Sequence, residues 1–154
     1  MKLYLVQHGQ AASKEENPDR PLTEQGRLDV ERVAVFLKGA SIDCQRVLHS
    51  GKLRAEQTAS ILAEAIAPKA KVEKRDGIAP NDEPGPLAEW LAGLNENIMI
   101  VGHLPFMSRM VSLLVTDTSG ATTAAYRPGS VVCLERHDGE GWAIDWMIRP
   151  ELLK

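Results

Sequence analysis

His8, Arg54 and His103 are the side chains of this chain best suited to chemistry, and each follows a short hydrophobic run. Leu3, Tyr4, Leu5 and Val6 lead into Gln7, His8 and Gly9; Val47, Leu48 and His49 lead into Ser50 and then Arg54; Ile98, Met99, Ile100 and Val101 lead into Gly102 and His103. A neutral imidazole whose other ring nitrogen donates to a backbone carbonyl can attack phosphorus. A second imidazole, as an imidazolium, and a guanidinium fork can stabilise charge on the equatorial oxygens during transfer. Two imidazoles and a guanidinium gathered in one pocket therefore suit phosphoryl transfer.

Each residue also has an ordinary reading when taken singly. His8 can be a histidine hydrogen-bonded at a strand end, and Arg54 a surface arginine paired with Glu56 or another acid. Arg20, in the loop before Pro21, is a second candidate for binding phosphate, although loop arginines are commonly solvated. His49 closes its strand, where a packed or hydrogen-bonded role suffices, and His137 falls in a predicted turn. A metal site built from His8, His49 and His103 lacks paired ligand spacing and carboxylate ligands, so no metal is expected.

The elements that must position these residues read as alternating strands and helices. Short aliphatic runs followed by helical periodicity are the pattern of a parallel α/β sheet, whose ligands bind beyond the carboxyl ends of the strands. Thr23 can cap a helix from about Glu24, with Leu28, Val30, Val33, Ala34 and Leu37 as its apolar stripe and Gly39 at its end. A strand over about Arg46 to His49 precedes a helix carrying Leu53, Ala55, Thr58, Ile61, Leu62, Ala65 and Ile66, with Arg54 in its first turn. Lys71 to Lys74 reads as an edge strand, and Asp76 to Pro86 as a surface loop bordering the site. A short helix over Leu87 to Leu94, a central strand over Asn97 to Val101 and a helix from Pro105 to about Val115 follow. Tyr126 to Arg136 and Trp142 to Arg149 read as an antiparallel hairpin turning at His137 to Gly141. The expected architecture is α/β, a mixed and mainly parallel sheet between two layers of helices, forming one domain over residues 1–154.

Bulk properties exclude several function classes. A chain of 154 residues with 44% hydrophobic and 25% charged residues can build one sizeable core but no lid domain, so an open site is expected. With 18 Lys and Arg against 21 Asp and Glu, the net charge of -3 supplies no basic field for nucleic acid. The N-terminus offers only about four apolar residues before Gln7, short of a signal segment or membrane span, which points to a cytoplasmic protein. Cys44 and Cys133 stand far apart, without disulfide or zinc spacing. No heptad seam argues for a dimer, so a monomer is expected.

The order of these pieces resembles the histidine phosphatase superfamily, and within it the small SixA-type phosphohistidine phosphatases. The likeness runs over the opening strand into His8 and Gly9, the Arg20 to Thr23 loop, the Leu53 to Thr58 run, the Gly102 to Pro105 turn and the tail from Trp146 to Lys154. It implies a phosphoglycerate mutase-like fold, no cofactor, and a phosphohistidine intermediate on His8. It also implies a phosphate pocket holding Gln7, Gly9, Arg20, Arg54 and His103, and action on phosphohistidine carried by a signalling protein such as a phosphotransfer domain.

One departure stands out: the family's signature begins with arginine before the histidine, where this chain has Gln7. Glutamine keeps a donor and loses a charge. A charge-assisted hydrogen bond contributes about 1.5 to 3 kcal/mol, so the loss corresponds to roughly tenfold to a hundredfold in rate. Two alternatives to phosphohistidine hydrolysis follow: an impaired module that recognises phosphate, or a phosphatase of small phosphorylated metabolites. Asp82 and Glu83 are the only acids near the expected place of a general acid, and their spacing assigns neither. That favours phosphohistidine, whose imidazole leaves readily once protonated.

Overall fold

The computed structural model describes residues 1–153, and within them six strands form one sheet. In chain order the elements are β1 (Lys2–Gln7), α1 (Glu24–Gly39), β2 (Arg46–His49), α2 (Leu53–Ile66), β3 (Val72–Lys74), α3 (Gly85–Ala92), β4 (Ile98–Gly102), α4 (Phe106–Thr116), β5 (Val131–Arg136) and β6 (Trp142–Ile148). The strand order is β3-β2-β4-β1-β5-β6. The first four lie parallel, and β5 and β6 are added antiparallel at one side.

Alternation along the strands divides the core in two. Tyr4, Val6, Val47, Met99 and Val101 face a layer built from Val30, Val33, Ala34 and Leu37 of α1 and Ala55, Ala59 and Leu62 of α2. Leu3, Leu5, Leu48, Ile98 and Ile100 face the opposite layer, with Leu87 and Leu91 of α3 and Phe106, Met107 and Met110 of α4. Because β4 is inserted between β1 and β2, the carboxyl ends of all three lie side by side, in register at Gln7 with Gly102 and at His49 with Val101. The result is the three-layer α/β/α sandwich of the phosphoglycerate mutase-like fold.

Several local expectations shift. Leu28 is 47% exposed, and the α1 stripe that is buried runs instead through Gly26, Val30, Val33, Ala34 and Leu37. Helix α1 continues through Gly39, with Ala40 at its cap and the left-handed residue at Ser41. The third helix starts two residues before the expected Leu87: Pro84 and Pro86 start α3 at Gly85, and Gly93 ends it. The hairpin's first strand begins only at Val131. Pro128 has no N–H to give to a ladder and Gly129 sits at φ +84°, so Tyr126 to Ser130 is a turn, with the buried Tyr126 hydroxyl donating to the carbonyl of Leu5.

Gly9 and Gly26 form the contact that holds the first strand's exit against α1. A Cβ on Gly26 would stand 2.1 Å from the Gln10 carbonyl oxygen, and one on Gly9 would stand 2.8 Å from Val30 Cγ2. Gly9 is thus required by close packing against α1. A Gly26→Ala substitution is expected to cost about 1–3 kcal/mol of overpacking and to displace the His8 loop. Urea unfolding together with turnover would register both effects.

Candidate active site

The site forms where β1, β2 and β4 end. His8 continues β1, its backbone N–H donating to the Gly102 carbonyl at the end of β4 (3.0 Å), and the Gly9 N–H donates to Thr58 Oγ1 of α2 (3.0 Å). Thr58 in turn donates to the Arg54 carbonyl one turn earlier (2.8 Å). The strand exit and the first turn of α2 are therefore tied together, which brings Arg54 to His8 although 46 residues separate them.

Hydrogen bonding decides which nitrogen of His8 is free. Nδ1 lies 2.7 Å from the Gly9 carbonyl oxygen, which can only accept, so Nδ1 carries the proton. Nε2 keeps its lone pair and accepts from Arg54 Nε at 3.3 Å. Burial, with the nearby Arg54 and Arg20 cations, pushes the His8 pKa down to about 4 against the opposing pull of the Gly9 hydrogen bond. At neutral pH the ring is therefore neutral, with its proton on Nδ1 and a lone pair on Nε2, the form able to attack phosphorus.

His103 stands beside it, with ring centroids 4.9 Å apart. It is almost wholly buried, its Nε2 lies 2.6 Å from Ser50 Oγ, and its Nδ1 has no partner. Burial first, then His8, Arg54, Lys52 and Arg20, lower its pKa to about 3. By its own surroundings His103 is therefore held as a neutral imidazole, and the imidazolium expected during transfer would draw on the charge of a bound phosphoryl group. Desolvation and a crowd of cations both oppose a further positive charge.

Arg54 and Arg20 both line a cleft of about 670 Å³, together with Lys14, Lys52, Asn81 and Asp82. Neither imidazole is among the lining residues, and Arg54 links the cleft to His8. Arg54 has its own pKa lowered by burial and by Arg20. Arg20 is held at φ +49°, an uncommon conformation for a side-chain-bearing residue, while its Nε donates to the Ala12 carbonyl (2.9 Å). Among the described residues no acid lies within ion-pair distance of Lys14, Arg20, Lys52 or Arg54. The alternative of a surface ion pair for Arg54 is thereby excluded.

The two acids differ in placement. Asp82 lines the cleft but accepts from the Ala79 N–H through Oδ2 (2.8 Å), whereas Glu83 is turned away onto Arg109 (3.0 Å). Gln7 is buried at the end of β1. Its main chain is held by Ser130 and Gly129, its Oε1 has no partner, and no arginine hydrogen-bonds to it among the described residues. His49 accepts the Gly51 N–H at Nδ1 and His137 is exposed beside Glu135; neither joins the pair of imidazoles. Ser50, Lys14, Lys52 and Asn81 were not singled out by sequence reasoning. Ser50 was findable, since it follows β2 as His8 follows β1 and His103 follows β4; the exposed lysines carry no such signal.

Two imidazoles in contact and a guanidinium hydrogen-bonded to one of them are brought together at the carboxyl end of the sheet. Residues 3–79 match the family model described as histidine phosphatase superfamily (branch 1). The chain belongs to that superfamily. It is a hydrolase of the phosphatase class that works through a histidine. It is 26% identical to the phosphohistidine phosphatase SixA of Escherichia coli K12 over all of this chain and 97% of that protein. It is 34% identical to an uncharacterised protein of Picosynechococcus over 78% of this chain and 76% of that one. The structure of the protein histidine phosphatase SixA complexed with tungstate superimposes with a TM-score of 0.87 at 25% identity, covering both chains completely. No described helix is long and apolar enough to cross a membrane.

The depressed imidazoles also make stability depend on pH. Both folded-state values lie below the ordinary histidine value of 6.5, so between about 6.5 and 4 the unfolded chain binds more protons than the folded one. Unfolding is favoured as pH falls through that window, and the stability present above it is lost on acidification. Urea midpoints are expected to fall from pH 7 to pH 5, and to fall less in a His103→Gln variant.

Proposed function

We propose that the protein is a phosphohistidine phosphatase acting on a phosphorylated histidine of a signalling protein such as a phosphotransfer domain. Nε2 of His8 attacks phosphorus in line; the N–P bond of the substrate breaks, and its imidazole leaves as the neutral ring, having been protonated beforehand. A phosphoryl group is then held on His8. Water attacks it, inorganic phosphate departs, and the His8 lone pair is restored. Arg54 and Arg20 bind the phosphoryl oxygens, with Gln7 and the Gly9 backbone beside them and His103 donating to an oxygen.

The observation that carries this reading is the Nδ1 hydrogen bond from His8 to Gly9, which leaves Nε2 unprotonated and next to Arg54. The open cleft supports a protein-borne substrate, because it can admit a side chain projecting from a partner. The likeness to SixA over the whole chain supports the same choice. Asp82 and Glu83 have hydrogen-bonding duties of their own, and imidazole as leaving group makes little demand on an acid.

A single-turnover assay tests the proposal. Purified protein is mixed with a histidine-phosphorylated phosphotransfer domain, and both chains are followed by intact mass while free phosphate is measured. The expected result is transient gain of one phosphoryl group by the enzyme, followed by phosphate release. Gln7 favours a second reading, a recognition module with blunted catalysis, since among the described residues its Oε1 has no partner and no arginine hydrogen-bonds to it. Under that reading the phosphorylated partner binds and is turned over about tenfold to a hundredfold more slowly than by a Gln7→Arg variant.

A further inference from the structure

Ser50 takes no direct part in the chemistry above, yet it makes the shortest polar contact of the site, 2.6 Å from Oγ to Nε2 of His103. We infer that Ser50 is a positioning residue that selects the tautomer of His103, holding the proton on Nδ1 so that this nitrogen donates to the phosphoryl group. The inference rests on the proposed function only for the identity of the acceptor.

The hydrogen bonds around Ser50 carry the assignment. The Lys52 N–H points at Ser50 Oγ at 3.4 Å and can only donate, so the hydroxyl oxygen accepts there. Among the described residues Ser50 Oγ has no hydrogen-bond partner besides the Lys52 N–H and His103 Nε2, which leaves His103 Nε2 to take the hydroxyl proton. If Nε2 accepts, a neutral His103 carries its proton on Nδ1, and that buried nitrogen, which has no partner of its own, becomes a donor. The opposite tautomer would leave a bare lone pair on Nδ1 facing any phosphoryl oxygen nearby, and a hydroxyl proton with no protein partner. Both arrangements are poorer, the first by lone-pair repulsion and the second by a lost hydrogen bond.

His8 and His103 thereby receive opposite ends of one device. Gly9 accepts from Nδ1 of His8 and leaves Nε2 as a lone pair for attack; Ser50 donates to Nε2 of His103 and leaves Nδ1 as an N–H for binding. Two rings that share a depressed pKa and stand in contact are assigned different roles by what touches the far side of each.

Nitrogen-15 NMR of the histidine rings tests the inference without requiring turnover. The His103 signals, assigned by their loss in His103→Gln, are expected to show a protonated Nδ1 and an unprotonated Nε2 at pH 7 in wild type. In Ser50→Ala the two nitrogens should move towards averaged values, and kcat/KM should fall about tenfold, as loss of one oriented donor implies. Ser50→Thr, which keeps the hydroxyl, should restore both. A wild-type His103 protonated at Nε2 overturns the inference, as does a Ser50→Ala protein of unchanged tautomer. If the NMR result holds while inorganic phosphate or tungstate leaves the Nδ1 signal unmoved, Ser50 sets the tautomer but the acceptor is misassigned. Failure of phosphoryl transfer to His8 in the single-turnover assay would instead strike the proposed function and leave the tautomer result standing.

Discussion

His8→Ala is expected to lose turnover of phosphohistidine by at least about 10⁴-fold, because the covalent step has no substitute nucleophile. His103 cannot take the role: its Nε2 is engaged by Ser50 and it is almost wholly buried. The variant should still bind the phosphorylated partner, since Arg54, Arg20 and His103 remain. Its acid sensitivity should also drop, because an imidazole held neutral down to pH about 4 has been removed. The decisive readout is intact mass: no phosphoryl group on the variant, and none released, under conditions that load the wild type. Retained turnover would remove His8 from the covalent step.

The second large effect is expected at Arg54. Arg54→Ala removes the guanidinium that donates to His8 Nε2 and reaches into the cleft, and kcat/KM should fall about 10² to 10³-fold. The loss should exceed that at Arg20, whose Nε is already given to the Ala12 carbonyl. Arg54→Lys should recover little, because a point charge cannot donate to His8 and to phosphoryl oxygens in one plane. Removal of Arg54 also lifts one of the charges that hold both imidazoles neutral, so their pKa values should rise. Proton NMR titration of the two rings would record that rise, and a rate equal to wild type would sink the assignment.

These two expectations draw on information of different kinds. That His8, Arg54 and His103 meet was legible because each follows a strand of a parallel sheet, and parallel strands end on one side. The apolar runs, the helical stripes of α1 and α2 and the hairpin turn were legible because burial imposes a period on the sequence. Where expectation slipped, a local feature overrode the pattern. Leu28 fits a helical stripe by spacing yet lies outside the contact made by Gly26 with Gln10, and Tyr126 to Ser130 looks strand-like until Pro128 and Gly129 are given their backbone geometry.

The protonation states lay beyond the sequence. An imidazole beside a phosphate suggests a cation, but whether it is one depends on how much water the fold removes and how many charges it gathers, and Lys52, Arg54, Arg20 and His8 converge on His103 from separate elements. The same holds for Ser50, an unremarkable residue until it lies 2.6 Å from a ring 53 residues away. By itself, then, the sequence determined the α/β class and the strand ends beyond which His8, Arg54 and His103 gather, because these follow from residue order and local periodicity. The tautomers, the neutral state of both imidazoles and the partnership of Ser50 with His103 were decided only by tertiary structure, because hydrogen bonds and desolvation depend on distances that the chain sets when it closes on itself.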